Sequence, residues 1–87
     1  MAKIELYTKD YCPFCHRAKN LLISKNLDFA EYDVSGGFNR MAEMLNRANG
    51  AMTVPQIFID DRHIGGSDEL AALDRSGELD RLISLAA

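Results

Sequence analysis

Two cysteines separated by two residues are the strongest candidates for chemistry in this chain. Cys12 and Cys15 stand in the run Tyr11-Cys12-Pro13-Phe14-Cys15, where a predicted strand gives way to a predicted helix. Residues three apart on a helix have Cα atoms about 5 Å apart, and a disulfide needs a Cα separation of about 4.4–6.8 Å. The spacing therefore predicts two thiols that can form and break a disulfide with little movement of the backbone.

The two thiols are expected to play different parts. Cys12 should lie at the N-terminus of the helix, where unpaired backbone N–H groups and the positive end of the helix dipole favour a thiolate. Cys15 follows one turn later and should be more buried. We therefore expect Cys12 to be the nucleophile and Cys15 to be the resolving thiol.

Three other interpretations compete with a redox pair. The cysteines could be inert core residues, or half of a zinc site, although His16 and His63 stand alone and supply no second ligand pair. The run from Cys12 to His16 also matches the C-x-x-C-H pattern of c-type haem attachment. We expect no export signal, and the sequence alternates strands with helices, whereas small c-type cytochromes are mostly helical. The redox interpretation is favoured, no metal site is expected, and His16 is interpreted as a polar residue of an early helical turn.

The first half of the chain predicts a strand, a helix and a second strand. Residues 4–7 alternate in polarity as a strand does. Pro13 suits a first helical turn, and apolar residues then recur at helical spacing to about Asn26. Phe29 to Val34 is the second predicted strand. Short joins between these elements favour a right-handed βαβ unit with parallel strands.

The second half predicts a helix, a hairpin and further helix. A turn is expected at Ser35-Gly36-Gly37, and a helix with its apolar stripe at Met41, Met44, Leu45 and Ala48 should end before Gly50. Residues 56–59 and 62–64 should pair around the turn Asp60-Asp61. A third helix follows, capped by Ser67 or Asp68, and Gly77 separates it from a last one. Arg40 and Arg47 on the second helix are interpreted as surface charges.

This order, β-α-β-α-β-β-α with a further helix at the end, predicts an α/β protein with a four-stranded mixed sheet flanked by helices. A length of 87 residues fits one domain spanning residues 1–87. The net charge of −3 argues against a nucleic-acid surface. No apolar run is long enough for a membrane span or a signal peptide, so we expect a cytoplasmic protein, where thiols are kept reduced.

Two further segments have the composition of a binding site. Thr53-Val54-Pro55 precedes the hairpin, and a cis Val54–Pro55 bond would expose the Val54 backbone to a ligand, although only about 5–6% of X–Pro bonds are cis. The sequence Gly65-Gly66-Ser67-Asp68 leads into a helix N-terminus, which favours anions such as a carboxylate. Lys9, close in sequence to Cys12, could attract the same carboxylate.

Four segments together resemble the bacterial dithiol glutaredoxins: Tyr7–Lys9, Cys12–Cys15, Thr53–Ile59 and Ile64–Leu70. They occur in the order and at the spacing of that family, over nearly the whole chain. The resemblance implies a thioredoxin-like fold and glutathione-dependent reduction of protein disulfides and protein–glutathione mixed disulfides. It also implies that glutathione is a co-substrate and that no cofactor is tightly bound.

The resemblance assigns roles to individual residues. It makes Cys12 the nucleophile and Cys15 the resolving cysteine. The implied glutathione-binding residues are Lys9, Tyr11, Phe14, Thr53, Val54, Pro55, Gly66, Ser67 and Asp68. Among them, Thr53, Val54 and Pro55 match the cis-proline segment of the family. Ser67 and Asp68 would receive the carboxylate and the amine of the γ-glutamyl end. Many relatives have tyrosine at the position of Phe14, and some have cysteine at that of Ser67.

The implied partners are glutathione and proteins that carry disulfides or glutathione adducts, with ribonucleotide reductase as one candidate. We expect a monomer that binds neither nucleic acid nor membranes. Two alternatives remain. One is a redoxin of the same fold that is reduced by thioredoxin reductase. The other is an iron–sulfur carrier in which Cys12 and glutathione bridge a dimer, although Pro13 and Cys15 argue against it.

Overall fold

The fold of the protein, obtained as a computed structural model, is described for residues 2–36 and 38–85. The elements are β1 (Ile4–Thr8), α1 (Pro13–Ser24), β2 (Ala30–Asp33), α2 (Phe38–Arg47), β3 (Gln56–Ile59), β4 (Arg62–Gly65), α3 (Ser67–Ser76) and α4 (Glu78–Leu85). This order confirms the predicted one, with the last helix included. The predicted turn is present at Ser35 and Gly36, whereas Gly37 lies outside the described residues.

The strands form one mixed sheet in the order β2-β1-β3-β4. Strand β1 pairs with β2 in parallel and with β3 in antiparallel orientation, and β3 and β4 form the antiparallel hairpin. A parallel pair needs a long crossover, which α1 supplies between β1 and β2. The chain leaves β1 directly into α1, so the two cysteines come to the end of the central strand.

Helices cover both faces of the sheet. On one face, Ile4 and Leu6 of β1 belong to a buried cluster with Leu22, Leu70 and Leu79, which come from α1, α3 and α4. The second face has its own buried cluster, formed by Tyr7, Val34, Met44, Ala48 and Phe58. All five residues of β1 are therefore buried. An alternating sequence is typical of a strand with one exposed face, but here helices cover both faces.

Arg47 of α2 compensates the charge that this arrangement buries at Glu5. Only 6% of the Glu5 side chain is exposed, and its Oε1 lies 2.9 Å from Nη2 of Arg47. The guanidinium also lies over the Phe58 ring, 4.1 Å from the centroid. Hydrogen bonding to Arg47 lowers the pKa of Glu5 against the opposing effect of burial. The interpretation of Arg47 as a surface charge is wrong, because its partner lies within the sheet.

Two turns follow the sequence closely, and one helix start does not. Asp60 and Asp61 have φ angles of 50° and 66°, as a two-residue hairpin turn requires, and Gly77 ends α3 with φ 83°. The expected N-cap at Ser67 or Asp68 is wrong. The carbonyl of Gly66 accepts the first helical hydrogen bond, from Leu70 at 3.0 Å, so the N-cap is Gly66.

Within residues 2–36 and 38–85, none of the helices has both the length and the apolar character needed to cross a lipid bilayer.

Candidate active site

Cys12 is the N-cap residue of α1, as its position in the sequence predicts. The chain turns out of β1 through Tyr11, which has a φ of 57° and a 97% exposed side chain. The carbonyl of Cys12 accepts the first helical hydrogen bond, from the N–H of His16 at 3.1 Å. Its sulfur accepts a hydrogen bond from the N–H of Cys15 at 3.3 Å. A cap sulfur that accepts from the helix backbone is placed where a negative charge is stabilised.

The two free thiols differ in their surroundings. Residue Cys12 is 7% exposed and Cys15 only 1% exposed. The Cys12 sulfur also lies 3.8 Å from the carbonyl oxygen of Val54. Burial raises the pKa of the Cys15 thiol to about 11, with a further contribution from its hydrogen bond to Cys12. Cys15 is therefore a protonated, enclosed thiol, and Cys12 is the sulfur next to the Val54 backbone.

The raised pKa of Cys15 predicts that the reduced protein loses stability in alkaline solution. The unfolded chain releases this proton at the ordinary value of 9.0 and the folded chain at about 11, so rising pH favours the unfolded state between these values. We expect the free energy of unfolding to fall by about 2–3 kcal/mol more in the wild type than in Cys15→Ser across this range. Urea unfolding of both reduced proteins at several pH values measures the difference. Parallel pH profiles would contradict the prediction.

A groove of about 440 Å³ opens beside the thiols and brings most of the candidate binding residues together. Seven of them line it: Phe14, Thr53, Val54, Pro55, Gly66, Ser67 and Asp68. The Val54–Pro55 peptide bond is cis, as the family resemblance implies. Lys9 and Tyr11 are exposed in the segment before Cys12 and are not among the lining residues. The groove thus runs from the cis-proline segment to the N-terminus of α3. Cys12 lies next to it, because Val54 lines the groove and its carbonyl oxygen faces the Cys12 sulfur.

Four lining residues were not among the binding residues that the sequence analysis named, namely Ala51, Gln56, His63 and Glu69. The Glu69 carboxylate accepts a hydrogen bond from the N–H of Gly66 at 2.7 Å, which is half of a capping box. Its position three residues after Gly66 was a usable signal. Gln56 and His63 are bonded to each other across the hairpin. The sequence predicts the hairpin but not this contact, because the register shifts between Ile57 and Phe58.

Gly65 is required where the hairpin meets α3. Its φ of +117° is one that side chains rarely adopt, and a Cβ atom there would lie 2.9 Å from Oε1 of Glu69. Any side chain at this position would press on the carboxylate that caps α3. The lack of a side chain at Gly65 therefore leaves room for the Glu69 carboxylate at the N-terminus of α3.

In the described part of the chain, no group of three or more His, Cys, Asp or Glu side chains is arranged to hold a metal ion.

Comparisons with known proteins agree with this geometry. The glutaredoxin family model matches residues 4–64. The chain is 54% identical to glutaredoxin 3 of Escherichia coli over 83 residues, which are 95% of this chain and 99% of that protein.

Solved structures give the same result. The solution structure of a glutaredoxin from Brucella melitensis has a TM-score of 0.80 at 45% identity, covering 94% of this chain and 88% of the other. The crystal structure of a buckwheat glutaredoxin–glutathione complex has a TM-score of 0.84 at 27% identity, covering 95% and 77%. The chain therefore belongs to the glutaredoxin family: it has a thioredoxin-like fold and is a glutathione-dependent thiol–disulfide oxidoreductase with glutathione as its co-substrate.

Proposed function

We propose that Cys12 is the attacking nucleophile of this oxidoreductase and that Cys15 is its resolving thiol. The observation that carries the assignment is the hydrogen bond of 3.3 Å from the N–H of Cys15 to the Cys12 sulfur at the start of α1. A backbone donor aimed at one sulfur stabilises the thiolate there. The raised pKa of Cys15 keeps that thiol protonated until the reaction requires it.

With a protein–glutathione mixed disulfide, the Cys12 thiolate attacks the glutathione sulfur. A disulfide forms between Cys12 and glutathione, and the protein thiolate leaves and takes up a proton. The thiolate of a second glutathione then attacks the glutathione sulfur held on Cys12. Oxidised glutathione leaves and the Cys12 thiolate is restored. One free glutathione is therefore consumed for each adduct removed, and the other half of the oxidised glutathione comes from the substrate itself.

With a disulfide inside a protein substrate, both cysteines take part. Cys12 first forms a mixed disulfide with one substrate sulfur, and the other substrate sulfur leaves as a thiol. Deprotonated Cys15 then attacks the Cys12 sulfur and releases the second substrate thiol. The resulting Cys12–Cys15 disulfide is reduced by two glutathione molecules. This second step needs Cys15 to lose its proton, and the departing substrate thiolate can accept it.

The groove is proposed as the glutathione site. The backbone of Val54 beside the Cys12 sulfur suits pairing with the extended tripeptide, with Thr53 and Pro55 on either side. Ser67 and Asp68 at the start of α3 suit the carboxylate and amine of the γ-glutamyl end. Phe14 supplies an apolar wall, and Lys9 and Tyr11, which do not line the groove, are proposed to contact the bound glutathione from the segment before Cys12. The buckwheat relative, whose structure is that of a glutathione complex, supports a ligand of this kind.

Loss of the Asp68 charge is expected to weaken substrate binding. Asp68→Asn removes the anionic partner of the glutathione amine, which should raise KM for a glutathionylated peptide by about tenfold and leave kcat within about twofold. Asp28→Asn is the matched control, because Asp28 is exposed ahead of β2 and does not line the groove. Steady-state kinetics with a glutathionylated peptide measures both. An equal KM in the two variants would refute the site.

The remaining proposals concern the setting in which the protein works. We propose that residues 1–87 form one domain, supported by Leu70 and Leu79 of the last two helices packing in the same cluster as Ile4. We further propose a cytoplasmic monomer, with ribonucleotide reductase as one candidate substrate. A disulfide-reduction assay driven by glutathione, run beside one driven by thioredoxin reductase, separates this function from that of a redoxin.

A further inference from the structure

A buried glutamine anchors the segment that precedes the cis-proline. Gln56 is only 4% exposed, and its Nε2 donates to the carbonyl oxygen of Thr53 at 2.9 Å and lies 3.2 Å from Thr53 Oγ1. A backbone carbonyl oxygen can only accept, so the orientation of the amide is fixed. The other amide atom, Oε1, must then act as an acceptor.

That acceptor faces His63 on the neighbouring strand. The Nε2 atom of His63 lies 2.6 Å from Gln56 Oε1, so this nitrogen carries the proton. The ring is also stacked on Phe58, with a centroid separation of 5.0 Å and an interplanar angle of 27°. Stacking on Phe58 thus fixes the orientation of the His63 ring, and the Nε2–H group of that ring donates a hydrogen bond that fixes Gln56.

The contacts of His63 and Gln56 end at Thr53, in the segment whose Val54 backbone faces the Cys12 thiol. Residues 51–55 lie outside the helices and strands, and Thr53 is exposed. Val54, the next residue, has its carbonyl oxygen 3.8 Å from the Cys12 sulfur. A shift of the Thr53 peptide would move the N–H and C=O groups of Val54 together.

We propose that Gln56 and His63 are positioning residues, which hold Thr53 so that the Val54 backbone keeps the geometry needed to bind the glutathione moiety of the substrate. This inference rests on the proposed function of the groove. Neither side chain takes part in thiol–disulfide exchange. They restrict the conformations of the exposed segment before glutathione binds, so that less conformational entropy is lost on binding. The affinity for glutathione increases, and the chemical step is unchanged.

Two variants test the proposal. His63→Phe keeps an aromatic ring over Phe58 but lacks the donor, and we expect it to raise KM for a glutathionylated peptide by about fivefold with kcat within about twofold. Gln56→Glu keeps the shape but replaces the donor to Thr53 with a repelling oxygen, and we expect about a tenfold rise. His63→Gln, whose amide nitrogen can donate in the same place, should return KM to within about twofold of the wild type.

Asp68→Asn serves as the reference for the groove itself. If Asp68→Asn raises KM while His63→Phe and Gln56→Glu do not, the positioning role is wrong and the groove stands. If none of the three raises KM, the groove and the positioning role are refuted together. A parallel fall in kcat and melting temperature of His63→Phe, not restored by His63→Gln, would show a merely structural role and overturn the proposal. A rise in KM alone, reversed by His63→Gln, supports it.

Discussion

Replacing Cys12 by serine is expected to abolish the reduction of both glutathionylated peptides and protein disulfides, lowering kcat/KM by at least about a thousandfold. A hydroxyl at this N-cap position stays protonated at neutral pH and forms no disulfide with the substrate. The hydrogen bond from the N–H of Cys15 then stabilises no thiolate. A glutathione-coupled assay with each substrate class measures the loss, and far-UV circular dichroism shows whether the variant is folded.

The matched control is Cys15→Ser, one helical turn further along α1. This variant should retain reduction of glutathionylated peptides within about threefold and lose most reduction of protein disulfides, because only the latter needs the second thiol. Loss of both activities in Cys15→Ser, or survival of either in Cys12→Ser, would reverse or refute the assignment of roles.

Replacing Arg47 by methionine is expected to cost the folded protein about 3 kcal/mol. The substitution keeps much of the side-chain length but leaves the carboxylate of Glu5 buried between the sheet and α2 without its guanidinium partner. The contact with the Phe58 ring is also lost. Urea unfolding monitored by circular dichroism gives the free energy of unfolding.

The control for this prediction is Arg40→Met on the same helix. Arg40 pairs with Glu43 at 3.2 Å, and both side chains are more than one-third exposed, so this change should cost less than about 1 kcal/mol. Because the pKa of Glu5 is lowered in the folded state, its contribution is present above the ordinary carboxyl pKa and is lost as pH falls. The gap between the wild type and Arg47→Met should therefore narrow in acid. Equal costs for the two arginines would contradict the buried ion pair.

The parts of the site that the sequence predicts are those with a local physical cause. The placement of Cys12 follows from its position between an alternating strand and a helix that starts with Pro13. The turn at Asp60 and Asp61 follows from side chains that tolerate positive φ. The order of elements follows from the spacing of apolar residues. Each segment has its own spacing, so each helix or strand can be predicted without knowledge of the other segments.

The parts that the sequence analysis missed depend on contacts between distant segments. Glu5 pairs with Arg47 only because α2 covers the second face of β1, and Gln56 meets His63 only because of the hairpin register. At α3, composition pointed to Ser67 or Asp68 as the cap, but the helix begins one residue earlier. The cis state of the Val54–Pro55 bond came from family resemblance, since local composition favours trans.

The recessed position of the Cys12 sulfur limits which disulfides can reach it. With 7% of this residue exposed, a sulfur atom embedded in a flat, rigid protein surface would be stopped by the surrounding backbone before in-line attack. A glutathione adduct projects on a slender peptide and can enter, as can a disulfide on a mobile tail or a protruding loop. We therefore expect disulfides that project into solvent to be better substrates than disulfides that lie within folded cores.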